Sequence, residues 1–122
     1  MYPPVDTVIS NILDQHTGEQ NAISLDDLIN QVNRYSRDHI FGKSEIRGVV
    51  HDLRKNGSLI CSSDQGYYRP ATLNEGLAFV DRALRTPAKD ELVTARIQRA
   101  ALKEYFGGQL SMSFGSEDPS IG

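Results

Sequence analysis

The stretch Val50-His51-Asp52-Leu53-Arg54-Lys55-Asn56-Gly57-Ser58-Leu59-Ile60, followed shortly by Gly66-Tyr67-Tyr68, decides how this chain is read. Its first half continues a helical pattern, because Ile46, Val49, Val50 and Leu53 fall on one side at about 100° per residue. Asn56-Gly57 ends that helix, since glycine takes the left-handed cap conformation without steric cost. Two short β-prone runs follow, Leu59-Ile60-Cys61 and Tyr67-Tyr68-Arg69. The polar Ser62-Ser63-Asp64-Gln65-Gly66 between them reads as a hairpin turn. The central unit is thus a helix, starting at Ser44 after Gly42, that a glycine turn delivers into a hairpin.

Toward the N-terminus, Val5, Val8, Ile9, Ile12 and Leu13 have the i, i+3, i+4 spacing of an amphipathic helix, with Gly18 as its end. Ala22-Ile23 makes a short extended link into Ser24, whose hydroxyl suits the cap of a second helix. That helix buries Leu25, Leu28, Ile29 and Val32, and places Asp26 and Asp27 at its positive end. Toward the C-terminus, Pro70 closes the second strand, and Thr72 with Glu75 forms a capping-box pattern that opens a fourth helix carrying Leu73, Leu77, Val80 and Leu84 inward. Thr86-Pro87 breaks or restarts the chain. A last helix runs from about Ala88 to Phe106, Gly107-Gly108 ends it, and a Gly- and Ser-rich tail remains. The expected fold class is α+β, mostly helical, divided into residues 1–71, a helical extension 72–106 and a flexible tail 107–122.

The order helix, short strand, helix, helix, hairpin, carried by Leu53-Arg54, Gly57, Ile60 and Gly66-Tyr67, resembles the winged helix-turn-helix family over roughly residues 5 to 70. It is similar to the N-terminal domain of the biotin repressor and to small phage-encoded winged-helix proteins. The resemblance implies a DNA-binding protein of phage or bacterial type, acting in transcription regulation or DNA replication, with helix 44–56 as the reader.

Charge distribution supports that implication where net charge does not. The chain carries −3 overall. Residues 1–30 hold Asp6, Asp14, Glu19, Asp26 and Asp27 and no Lys or Arg, whereas residues 34–55 and 82–106 each hold six basic residues against three acidic. The expected DNA-binding residues are Arg37, Lys43 and Ser44 ahead of and at the start of the reading helix, Arg47, His51, Arg54 and Lys55 along it, and Arg69 in the hairpin. Arg47 suits base reading, because a guanidinium donates two parallel hydrogen bonds to guanine. Arg37, Lys43 and Ser44 suit phosphates. Gly48 lies in the same arc at a helix-propensity cost of about 1 kcal/mol relative to alanine, so either close packing or close approach of a partner must explain it.

The last helix has apolar residues on two sides, Val93, Ile97, Ala100 and Ala101 on one and Leu92, Leu102 and Phe106 on the other, which suggests a homodimer through that helix. In the tail, Gln109-Leu110-Ser111-Met112-Ser113-Phe114 resembles the six-residue bacterial sliding-clamp-binding motif. The resemblance implies Gln109 as the polar contact and Leu110, Met112 and Phe114 as apolar ones, and gives the alternative function: a protein-interaction adaptor or inhibitor that captures a replication partner.

Other classes are disfavoured. No apolar run approaches the ~20 residues of a membrane span, and no secretory leader is evident, so a cytoplasmic location is expected. The single cysteine, Cys61, excludes an internal disulfide and reads as a buried strand residue. No histidine cluster calls for a metal or cofactor. His16 with Glu19 and His51 with Asp52 are the only compact acid–base neighbourhoods, and no organised nucleophile or phosphate-binding glycine loop accompanies them, so no catalytic site is expected.

Overall fold

The computed structural model describes residues 4–36, 39–85 and 89–115, with the side chains of 89–91 and 108–115 outside the description. The order is α1 (Val5–Leu13), a 3-10 turn (Glu19–Asn21), α2 (Leu25–Tyr35), α3 (Lys43–Lys55), β1 (Cys61–Ser63), β2 (Gly66–Tyr68), α4 (Leu73–Leu84) and α5 (Lys89–Gly115). The chain is therefore mostly helical with one small antiparallel sheet, in which Cys61 pairs with Tyr68, Ser62 with Tyr67 and Ser63 with Gly66.

Local chemistry accounts for most of the boundaries. The Ser24 hydroxyl accepts from the Asp27 N–H at 3.1 Å and caps α2, as the sequence predicts. Thr72 does the same for α4 by accepting from the Glu75 N–H at 3.1 Å. The Glu75 carboxylate then reaches outward to the amides of Ala71 (2.8 Å) and Glu19 (3.1 Å), fastening α4 to the 3-10 turn. The short extended link before α2 is also present: Ile23 exchanges both backbone hydrogen bonds with Tyr67, at 2.9 and 2.8 Å, and so adds a one-residue bridge to the hairpin. Gly66 is obligatory there. Its φ is +126°, and a Cβ would sit 2.1 Å from the Ile23 carbonyl oxygen.

Three boundaries differ from expectation. Helix α3 begins at Lys43, one residue earlier than Ser44, because Gly42 is its N-cap and the Glu45 carboxylate accepts from the Gly42 N–H at 3.1 Å. The strands lie closer to the turn than predicted. Ser58, Leu59 and Ile60 are held by side chains instead of a ladder, and Asp64-Gln65 alone forms the tip. Helix α5 continues to Gly115, where the sequence predicts an end at Gly107-Gly108. Glycine lowers helix propensity by about 1 kcal/mol but terminates a helix only by taking a left-handed conformation. Gly107 does not take it.

Two apolar cores result. The first joins α1, α2, α3 and the link through buried residues such as Ile9, Leu13, Leu28, Ile46, Val50 and Ile60. The second lies between α4 and α5 around Val80, Ala95 and Leu102, with Leu59 and Phe79 against it. At Gly76, a Cβ would stand 2.3 Å from Leu102 Cδ2, so the glycine is what allows α4 and α5 this separation. Among the described residues no helix is long and apolar enough to cross a membrane.

Candidate nucleic-acid interface

The inward side of α3 is set by Ile46 and Val50, both buried, with Val49 and Leu53 half-buried beside them. The opposite side is left to solvent. It presents Ser44, Arg47, Gly48 and Lys55 as exposed residues and His51 as half-buried, so these members of the predicted set share one face. Lys43 opens the helix, exposed and 3.8 Å from the exposed Asp26 carboxylate. A Cβ at Gly48 would meet nothing within 4 Å among the described residues, so their packing gives no reason for the glycine.

Acidic groups border the same face. Asp52 and Glu45 are exposed on α3 itself, Asp26 and Asp27 open α2, and Asp64 sits at the hairpin tip. The Glu45 carboxyl is held below its usual range, first by the Gly42 amide and then by His39, whose Nε2 lies 2.7 Å away. A groove of about 320 Å3 separates Arg47 from the hairpin, lined by Ser24 and by the hairpin residues Ser62 to Gln65. Arg47 is the one basic residue on its walls among the described residues.

Two residues expected at this interface are interior ties. Arg54 donates from Nε to the Ile60 carbonyl at 2.8 Å, and its guanidinium lies 5.0 Å from the ring centroid of Phe79 on α4 and 5.9 Å from that of Tyr67. It is turned toward the second core, because it stands one helical turn after the buried Val50. Arg69, 17% exposed, donates from Nε to Asp14 (2.8 Å), from Nη1 to the Ser58 hydroxyl (3.0 Å) and Leu59 carbonyl (2.9 Å), and from Nη2 to the Ser10 carbonyl (3.1 Å) and hydroxyl (2.8 Å). Every N–H it owns is engaged. Arg37 lies outside the described residues.

Gln98 on α5 was not singled out by sequence. It is 3% exposed; its Nε2 donates to the carbonyls of Arg54 (3.0 Å) and Ser58 (2.8 Å), and its Oε1 accepts from the Ile60 N–H at 3.4 Å. The available signal was periodicity: Gln98 follows Ala95 by three and precedes Leu102 by four, on the buried stripe of α5.

The remaining expectations divide as follows. Of the six basic residues of 82–106, Arg82, Arg85, Arg96 and Lys103 are exposed, Arg99 pairs with Asp81 at 3.2 Å, and the Lys89 side chain lies outside the description. Leu102 is buried and Phe106 half-buried against α4, while Leu92 and Val93 remain exposed. The backbone of Gln109, Leu110, Met112 and Phe114 is helical, not an extended tail, and their side chains lie outside the description. His16 donates from Nδ1 to the Asn21 carbonyl, 2.8 Å away, a loop contact. Cys61 is buried as expected, and burial pushes its thiol up to about 12. No cluster of His, Cys, Asp and Glu suited to a metal occurs among the described residues. Comparison with known proteins finds no matching family model, no matching curated protein and no matching solved structure.

Proposed function

We propose that the protein is a winged-helix DNA-binding module in which the outer face of α3 meets duplex DNA. The observation that carries this reading is the uncovered face formed by Ser44, Arg47, Gly48, His51 and Lys55, with a glycine at its centre that packing among the described residues does not require. A major groove admits a helix whose backbone approaches closely, and Arg47 and His51 flank the bare position with hydrogen-bond donors of suitable length. The Ile23–Tyr67 bridge and the hairpin after α3 supply the remaining parts of such a module.

The charge count sets the expected strength. With Arg54 and Arg69 engaged internally, at most Arg37, Lys43, Arg47 and Lys55 reach phosphates. Four neutralised phosphates give a salt slope of roughly −3.6, or a loss of about 150-fold between about 50 and 200 mM salt. The test is titration of labelled duplex across that salt range with wild type and Arg47→Ala/Lys55→Ala. The double variant should bind with a slope of roughly −1.8. Absence of wild-type binding at low salt refutes the reading.

The acidic border, Asp26, Asp27, Glu45, Asp52 and Asp64, favours a second reading in which the same scaffold is a protein-interaction adaptor or inhibitor. Capture of a replication partner through Gln109, Leu110, Met112 and Phe114 then requires the last turns of α5 to unwind. Gln109→Ala/Phe114→Ala abolishes that binding and leaves duplex binding intact.

A further inference from the structure

The link between α3 and the hairpin is built unusually. Ser58, Leu59 and Ile60 pair with no strand, yet their three consecutive carbonyls each accept a hydrogen bond from a long side chain: Gln98 of α5 on Ser58, Arg69 of the second strand's end on Leu59, and Arg54 of α3 on Ile60. The Ile60 N–H returns to Gln98, and the same Gln98 holds the Arg54 carbonyl in the last turn of α3. Buried backbone polar groups require partners. Here the partner chosen by α5 touches the helix end, the turn and the strand entry at once.

We infer that Gln98 is a positioning residue that fixes the angle between α3 and the hairpin, so that α5 sets the geometry of the face offered to DNA. Arg54 and Arg69 hold one backbone carbonyl of the link each, while Gln98 holds the carbonyl of Arg54 before the Asn56-Gly57 turn and backbone groups of Ser58 and Ile60 after it. The turn itself is closed by two backbone hydrogen bonds, from the Gly57 N–H to the Arg54 carbonyl (3.0 Å) and from the Ser58 N–H to the Leu53 carbonyl (2.9 Å), with Gly57 in the left-handed cap conformation at φ +93°, so Gln98 acts on the chain just beyond a closed helix cap. An apolar residue of the same length at 98 keeps the packing of α5 on α4 but leaves the link to the two arginines and the backbone hydrogen bonds of the turn.

The inference rests on the DNA reading for its functional half only, and the experiment separates the two. Gln98→Met keeps length and volume while removing all three hydrogen bonds. Hydrogen exchange of the full-length variant, measured without DNA, should show the Ile60 amide exchanging at least tenfold faster than in wild type. The amides of Ile9 and Leu13 in the first core should be unchanged. Uniform acceleration across the chain means that Gln98 serves stability alone and overturns the inference, as does an unchanged Ile60 amide. Duplex affinity should fall about tenfold in Gln98→Met with an unaltered salt slope, since no phosphate contact is lost. Unchanged affinity alongside a faster Ile60 amide overturns the functional half, and failure of the wild type to bind refutes the DNA reading while the exchange result still decides the positioning role. If Gln98→Met does not fold, Gln98→Glu tests the donor half: it keeps the acceptor for Ile60 and loses the donors to Arg54 and Ser58, so the Gly57 and Ser58 amides of the adjoining turn should exchange at least tenfold faster than in wild type, and wild-type rates there overturn the inference.

Discussion

Substituting Arg69 by methionine separates an internal tie from a DNA contact, and the two give opposite results. Methionine preserves much of the packed stem and removes all five donors. The losses are unequal. Asp14 is 61% exposed, so its ion pair contributes little, and the Ser10 carbonyl still receives the Asp14 N–H within the helix end. The Leu59 carbonyl and the hydroxyls of Ser10 and Ser58 lose a charged donor in a half-buried setting, and one orphaned carbonyl alone costs about 1–3 kcal/mol. A total of roughly 2–4 kcal/mol follows, because such losses are not additive. With a urea slope of about 2 kcal/mol/M, the midpoint falls by about 1–2 M. Far-ultraviolet circular dichroism is the assay, since the chain has no tryptophan to report by fluorescence. The salt slope of duplex binding, measured where Arg69→Met is folded, stays at the wild-type value. A urea midpoint equal to wild type together with a slope weakened by about 0.9, the value of one lost phosphate contact, refutes the assignment of Arg69 to the interior.

Three further outcomes are expected. Gly48→Ala stabilises the fold by roughly 0.5–1 kcal/mol, seen as a raised urea midpoint, because the new Cβ meets nothing among the described residues, while duplex affinity falls; stronger binding contradicts close approach at this position. Gly76→Ala costs about 1–3 kcal/mol through overpacking on Leu102, and adding Leu102→Val recovers part of it, so strictly additive midpoints in the double variant contradict that contact. Cys61 titrates at about 12 in the folded protein against an ordinary 9.0, so the fold holds this proton more tightly than the unfolded chain does. The associated stability is fully present below about pH 9 and is lost by about 1.4 kcal/mol per pH unit toward 12. Urea midpoints of Cys61→Val should lack this component relative to wild type over that range, and identical pH profiles refute it.

What sequence revealed, and what it did not, follows from which interactions are local. The caps at Ser24 and Thr72 and the buried stripes of α1 to α4 depend on residues three and four apart, so spacing alone locates them. Polarity alone put Arg54 on the outer face of α3, although its position, four residues after Val50, turns it toward the buried side, where its Nε holds the Ile60 carbonyl. Arg69 follows the inward-facing Tyr68 in an extended run, so alternation turns it to the other side of the hairpin. That other side is not solvent here: Ser10 and Asp14 of the α1 region cover it, a tertiary fact that no local pattern carries. The helical continuation past Gly107 is of the same kind, since glycine composition sets a propensity and leaves the conformation to be decided by context.

The internal use of the two arginines also bears on the strength of binding that the proposed DNA reading requires. Leu59 faces the second core and Ile60 the first, so the link between α3 and the hairpin passes between two apolar clusters with its carbonyls turned away from any strand. Satisfying those carbonyls takes long donors, and Arg54 and Arg69 are the cations within reach. Six cations on the interface give a slope of roughly −5.4 and a loss near 1,800-fold between about 50 and 200 mM salt, whereas the four that remain give roughly −3.6 and about 150-fold. The architecture that makes α3 and the hairpin one unit thus removes about a third of the charge that the unit offers to phosphate. On the proposed DNA reading, duplex binding by a single copy is correspondingly weak in its non-specific component, and discrimination falls to the few groups around Gly48. Tight binding therefore needs either base contacts from Ser44, Arg47 and His51 or a second copy on the same duplex, and the two differ in their dependence on protein concentration.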